Sequence, residues 1–93
     1  MTEQNDTAVT ADRILAVILS AATRALGSSP SPTDNLYDLG LDSLSALELC
    51  ALVEDEITDD CTPDDVMGTP IPVDLAALLA DRGVEIIGST QAE

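Results

Sequence analysis

Apolar residues recur through most of this chain at the three- and four-residue spacing of amphipathic helices. At about 100° per residue, Ala11, Ile14, Leu15, Ile18, Leu19, Ala22, Ala25 and Leu26 share one face, while Asp12, Arg13, Ser20, Thr23 and Arg24 lie opposite. This pattern predicts a first helix. Gly27 is placed to end it, since glycine accepts the left-handed conformation of a helix cap, and the Ser- and Pro-rich stretch from Ser28 to Pro32 cannot continue it. From Thr33 to Asp42 acidic, apolar and Gly residues alternate without a helical period, which predicts an ordered loop pinned by Leu36, Tyr37, Leu39 and Leu41. A second helix is predicted from about Ser43 to Ile57.

Beyond it, Thr62-Pro63-Asp64-Asp65 offers a hydroxyl cap, a first-turn proline and two acids facing the helix dipole, the pattern of a short third helix that Gly68 would stop. A last helix is expected from about Pro72 to Arg82, with Ile71, Leu75, Leu78 and Leu79 as its buried stripe and Gly83 as its terminator. Val84 to Ile87 can pack as an extended strap. The expected fold is all-α: a small four-helix bundle with a short third helix over residues 10–87, between flexible tails 1–9 and 88–93.

The second helix carries apolar residues on two faces. Ala46, Leu49, Cys50, Val53 and Ile57 form a stripe suited to a core. Opposite them, Leu44, Leu47 and Ala51 stand among Glu48, Glu54 and Asp55, a mixed apolar and acidic surface fit for transient docking of a basic partner. Periodicity equally admits burial of Leu44 and Leu47 beneath the preceding loop.

Composition narrows the function. The 93 residues are 45% hydrophobic, yet Tyr37 is the only aromatic residue, so the core is small and aliphatic. A formal charge of −15, from 18 Asp and Glu against Arg13, Arg24 and Arg82, disfavours nucleic acid and anionic membranes as partners. With no His, and with Cys50 and Cys61 spaced unlike a zinc motif, metal catalysis is not expected. The two cysteines are open to a disulfide or to two free thiols, and a reducing cytosol favours the free state. The polar, acidic start lacks the pattern of a signal peptide, and the longest apolar run, Ile14 to Leu19, is too short for a bilayer, so a cytoplasmic protein is expected. Met1 suggests a free-standing module. Without His or Lys, a serine nucleophile lacks its usual base, so an enzyme acting alone is not expected.

Leu36-Tyr37-Asp38-Leu39-Gly40-Leu41-Asp42-Ser43-Leu44-Ser45-Ala46-Leu47-Glu48-Leu49 resembles, without a gap, the apolar-aromatic-x-Leu-Gly-x-Asp-Ser-Leu-x-x-x-Glu-Leu pattern of phosphopantetheine-binding carrier proteins, in particular polyketide and fatty-acid acyl carriers. The resemblance extends over most of residues 11–82 and is specific at 36–57. It implies a four-helix bundle of acyl-carrier type, without catalysis of its own, in which a phosphopantetheinyl transferase joins 4'-phosphopantetheine from coenzyme A to Ser43. The arm would carry acyl intermediates as thioesters. It further implies that Asp42 lies at the transferase's metal and coenzyme A site, with Gly40 and Leu44 flanking the attachment point. Leu44, Leu47, Glu48, Ala51, Glu54 and Asp55 would then receive the transferase and an acyltransferase, ketosynthase or acyl or aminoacyl ligase, on a monomeric carrier. The physics of the position agrees, because a helix N-terminus favours a phosphodiester.

The chain departs from the family after the second helix, where Cys61-Thr62-Pro63-Asp64-Asp65 and Pro70-Ile71-Pro72-Val73 replace the family's commoner aliphatic-Pro-acidic and Thr-aliphatic patterns. Plain helix capping remains the bland reading of Asp42-Ser43. Within the resemblance, Leu41 and the acidity favour an acyl over a peptidyl carrier. An unmodified acidic interaction module is the reading from another class. A calcium-binding EF-hand fails on spacing: counted from Asp34, the third ligand position is Leu36, Gly40 falls one place late, and Ser45 stands where the bidentate Glu is needed.

Overall fold

A computed structural model of the chain describes residues 6–58, 60–84 and 86. Four α-helices stand among the described residues: α1 (Asp6–Leu26), α2 (Ser43–Glu54), α3 (Pro63–Gly68) and α4 (Pro72–Asp81), with a 3-10 helix, Leu36–Leu39, in the long loop. α1 packs on α4 and α2, and α3 packs on α2. The expected all-helical bundle with a short third helix is therefore present. Residues 6–9 already belong to α1, while 1–5 and the expected tail 88–93 lie outside the described residues.

The stripes read from the sequence meet in one core. Ile14 and Ile18 of α1, Leu49 and Val53 of α2, Val66 of α3, and Leu75 and Leu79 of α4 are fully buried, joined by Leu36 from the loop. Each such side chain contributes about 1.5–3 kcal/mol by leaving water. Because aromatic residues are scarce, small side chains bring the helices close: Ala22, Ala46 and Ala76 sit buried at the contacts. Gly27 and Gly83 end α1 and α4 in the left-handed region, at φ 77° and 89°.

The end of α2 differs from the sequence reading. α2 ends at Glu54, and Ile57 is buried by a different route, in an isolated antiparallel bridge with Ile86. Val84 of the expected strap is buried, while residues 85 and 87 lie outside the described residues.

The 33–42 loop is ordered by its main chain as well as its leucines. Leu36 N–H donates to Pro70 O at 3.0 Å and Val73 N–H to Pro32 O at 2.9 Å, so the loop and the α3–α4 linker satisfy each other's polar groups. Leu36 and Leu41 are buried and Leu39 is half-buried. Tyr37, expected among the apolar pins, is 44% exposed and holds the loop through its hydroxyl, which donates to Met67 O at the end of α3. A phenol with no buried polar partner keeps its ring at the surface and uses its oxygen instead.

Candidate functional site

The chain turns into α2 through Gly40, whose φ of 104° lies in the left-handed region. A Cβ built there meets nothing within 4 Å, so glycine is required by backbone conformation and not by space. Leu41 next dips into the core, and its N–H donates to Leu36 O at 3.0 Å. Asp42 follows in an extended conformation as the N-cap of α2.

Asp42 and Ser45 close the helix end on each other. Asp42 Oδ1 accepts from the Ser45 N–H at 2.9 Å and from the Ser45 hydroxyl at 2.9 Å, while the Asp42 N–H donates to Ser45 Oγ at 2.9 Å. This capping box holds the Asp42 carboxyl below its usual value of 3.8, chiefly through the Ser45 amide and then its hydroxyl. Asp42 therefore does cap the helix. Ser43 is the first helical residue, exposed, and among the described residues no side-chain hydrogen bond engages its hydroxyl. The bland reading of the Asp-Ser pair is thus satisfied by Asp42 with Ser45, and it leaves Ser43 Oγ over. The helix end is not wholly open, because the Ser45 amide is taken by Asp42.

The second face of α2 is a surface. Leu44 is 74% exposed and Leu47 57%, and Ala51, Glu48, Glu54 and Asp55 are exposed beside them, so none of the six lies in the core. Ala46, Leu49, Cys50 and Val53 on the other side are all buried. Glu54 has a second task that spacing did not reveal: its Oε2 accepts the Cys61 N–H at 3.0 Å and so holds the α2–α3 loop. Beside Ser43, an open cleft of about 370 Å³ between the end of α1 and the start of α2 is lined by Leu26, Leu39 and Leu44 together with the polar Asp42, Ser45 and Glu48.

α3 is tied down on both sides. Thr62 and Asp65 form its own capping box, and Asp65 also receives a two-pronged ion pair from Arg82 at 2.6 and 2.9 Å, which holds its carboxyl well below the usual range. Asp65 was expected from the sequence as a first-turn acid of α3, whereas its pairing with Arg82 and the part of Ser45 in the α2 cap were not. Asp-x-x-Ser and Thr-x-x-Asp at helix starts are the legible signal for both boxes, whereas the Asp65–Arg82 pair spans 17 positions and leaves none.

Among the described residues no group of three or more His, Cys, Asp or Glu side chains is arranged to hold a metal ion, and no helix is long and apolar enough to cross a membrane.

Residues 12–79 match the family model described as phosphopantetheine attachment site. The chain is also 38% identical over 60 residues, 64% of its length, to a nonribosomal peptide synthetase, ecdA, of Aspergillus rugulosus. It spans about 1% of the length of that protein. The comparison with solved structures gave no match.

Proposed function

The chain belongs to the phosphopantetheine attachment site family, and from that premise we propose that Ser43 bears the arm and that the chain acts as an acyl carrier of polyketide or related type. Proteins of this family carry a covalent 4'-phosphopantetheine, and the residues here fit it. The observation that carries the reading is the division of labour at the start of α2: Asp42 and Ser45 complete the helix end, and the Ser43 hydroxyl stands exposed between them. Once attached, the arm supplies a thiol that holds an acyl group as a thioester.

The chain's own residues orient and present. Gly40 and Leu41 fix the path into α2, the capping box stiffens its first turn, and Leu44 and Leu47 offer exposed apolar anchors rimmed by Glu48, Ala51 and Asp55. A carrier domain works with a phosphopantetheinyl transferase and with synthetase enzymes. In this reading their basic residues meet the acidic rim, and an acyltransferase, ketosynthase or acyl ligase performs the chemistry, which the carrier itself does not catalyse. Asp42 lies beside the reacting hydroxyl, where it would face the transferase's metal. A cytoplasmic monomer belongs to the same reading.

An aminoacyl cargo is the second reading, favoured by the likeness to a nonribosomal peptide synthetase. Fragmentation mass spectrometry of the chain after incubation with a transferase and coenzyme A tests the attachment: the arm is expected on Ser43, and an arm on any other serine overturns the assignment. Offering the loaded chain to an acyltransferase and to an amino-acid-activating ligase separates the two cargo classes.

A further inference from the structure

At the seam between α3 and α2, remote in role from Ser43, two cysteines face each other inside the core. Cys50 on α2 is 3% exposed, and Cys61, the residue before the α3 cap, is fully buried, although its neighbours in sequence are polar. Their Sγ atoms stand 3.8 Å apart, with the Cys61 thiol donating to Cys50 Sγ. A second contact sets this approach: the Cys61 N–H donates to Glu54 Oε2, and Glu54 lies one turn beyond Cys50 on α2. Residue 61 is therefore held over α2 by its side chain and its main chain together.

We propose that Cys50 and Cys61 form an oxidisable pair that closes to an intramolecular disulfide under hydrogen peroxide, fastening the start of α3 to α2. Bonded sulfurs lie about 2.05 Å apart, so the pair must approach by about 1.8 Å. Rotation of the loop residue Cys61 supplies that more readily than displacement of α2, whose core stripe is locked on both sides of Cys50 by Leu49 and Val53. The hydrogen bond from Cys61 also lowers the Cys50 pKa, while the same bond and burial raise that of Cys61, which makes Cys50 the first nucleophile. Its thiolate attacks a peroxide oxygen and breaks the O–O bond, giving a sulfenic acid and, with the proton released by Cys50, one water. Cys61 Sγ then attacks the Cys50 sulfur, the S–O bond breaks, and the oxygen leaves as water with the Cys61 proton. Two S–H bonds and one peroxide become one S–S bond and two waters. Because both sulfurs are buried, the reaction proceeds through opening of α3, a helix of six residues.

The test treats the chain as purified and the Ser43→Ala variant with hydrogen peroxide, then alkylates each in denaturant and measures intact mass and fragments. Both proteins are expected to lose the mass of two hydrogen atoms, to resist alkylation until reduced, and to yield a fragment linking Cys50 with Cys61. Their thermal midpoint is expected to rise by about 5 °C or more and to return on reduction. The Ser43→Ala arm matters because it can bear no phosphopantetheine thiol, so its result stands whether or not the carrier reading does. Free alkylation of both cysteines after peroxide, oxygen added to either sulfur without a link, or a link to the arm or to a second chain overturns the proposal.

Discussion

Asp42 and Ser45 hold each other across the first turn of α2 through three hydrogen bonds of 2.9 Å, and both residues between them, Ser43 and Leu44, are exposed. The hydroxyl proposed for modification is thus not one that the helix needs. Ser43→Ala is expected to shift unfolding free energy by no more than about 0.5 kcal/mol, as for other surface changes. Thr62→Ala, which removes the oxygen accepting the Asp65 N–H at the start of α3, is expected to cost about 0.5–2 kcal/mol. Urea unfolding of the two variants beside wild type makes the comparison.

Leu47 and Leu49 are two positions apart on α2 and face opposite ways. Leu49→Ala opens the core and is expected to lose about 2–5 kcal/mol of stability. Leu47→Ala, at a position 57% exposed, is expected to leave helicity and stability near wild type and to shorten the lifetime of the complex with the modifying transferase. A loss of stability in Leu47→Ala as large as that in Leu49→Ala would place Leu47 in the core.

Acidic positions on this face divide by task. Glu54 anchors Cys61, so its replacement mixes folding with binding. Glu48→Lys with Asp55→Lys is the cleaner pair. Together they are expected to slow association and to remove most of its salt dependence, since exposed charges steer encounter and are screened over about 8–10 Å at ordinary ionic strength. Stopped-flow association at two salt concentrations reads this directly; an unchanged salt slope would remove these acids from the docking surface.

The Asp65–Arg82 pair gives a pH dependence of definite sign. The folded-state pKa of Asp65 lies below its ordinary 3.8, so its contribution is complete above that value and is lost as pH falls from there toward the folded-state pKa. Being near the surface, the pair is worth under about 1 kcal/mol. Protonation also relaxes repulsion in a chain of net charge −15, which acts in the opposite direction. The difference between wild type and Asp65→Asn reads the Asp65 carboxylate, its Arg82 pair and its Thr62 contact together: it is expected to be constant near neutral pH and to shrink below about pH 4.

Much of this arrangement was legible because helical period and turn chemistry are local. The stripes through Ile14 and Ile18, Leu49 and Val53, and Leu75 and Leu79, the Thr62-Pro63 start, and the glycine stops all emerge from spacing alone. What was not legible depends on distant partners. Exposure of Leu44 and Leu47 was undecided by a period that puts apolar residues on both sides of one helix. Burial of Cys61 follows from the Glu54 anchor, and the surface placement of Tyr37 from a carbonyl on α3. Ser45 could have been found, since an Asp three residues before a Ser at a helix start is a capping pattern. The attachment role proposed for Ser43 rests on the fourteen-residue resemblance, 36–49, and not on periodicity.

The most direct test of the central claim is the intact mass of wild type and Ser43→Ala after incubation with a broad-specificity phosphopantetheinyl transferase and coenzyme A. Wild type is expected to gain the mass of one phosphopantetheine arm and Ser43→Ala, equally folded, to gain none. An unchanged wild-type mass, or an equal gain in the variant, would contradict the account.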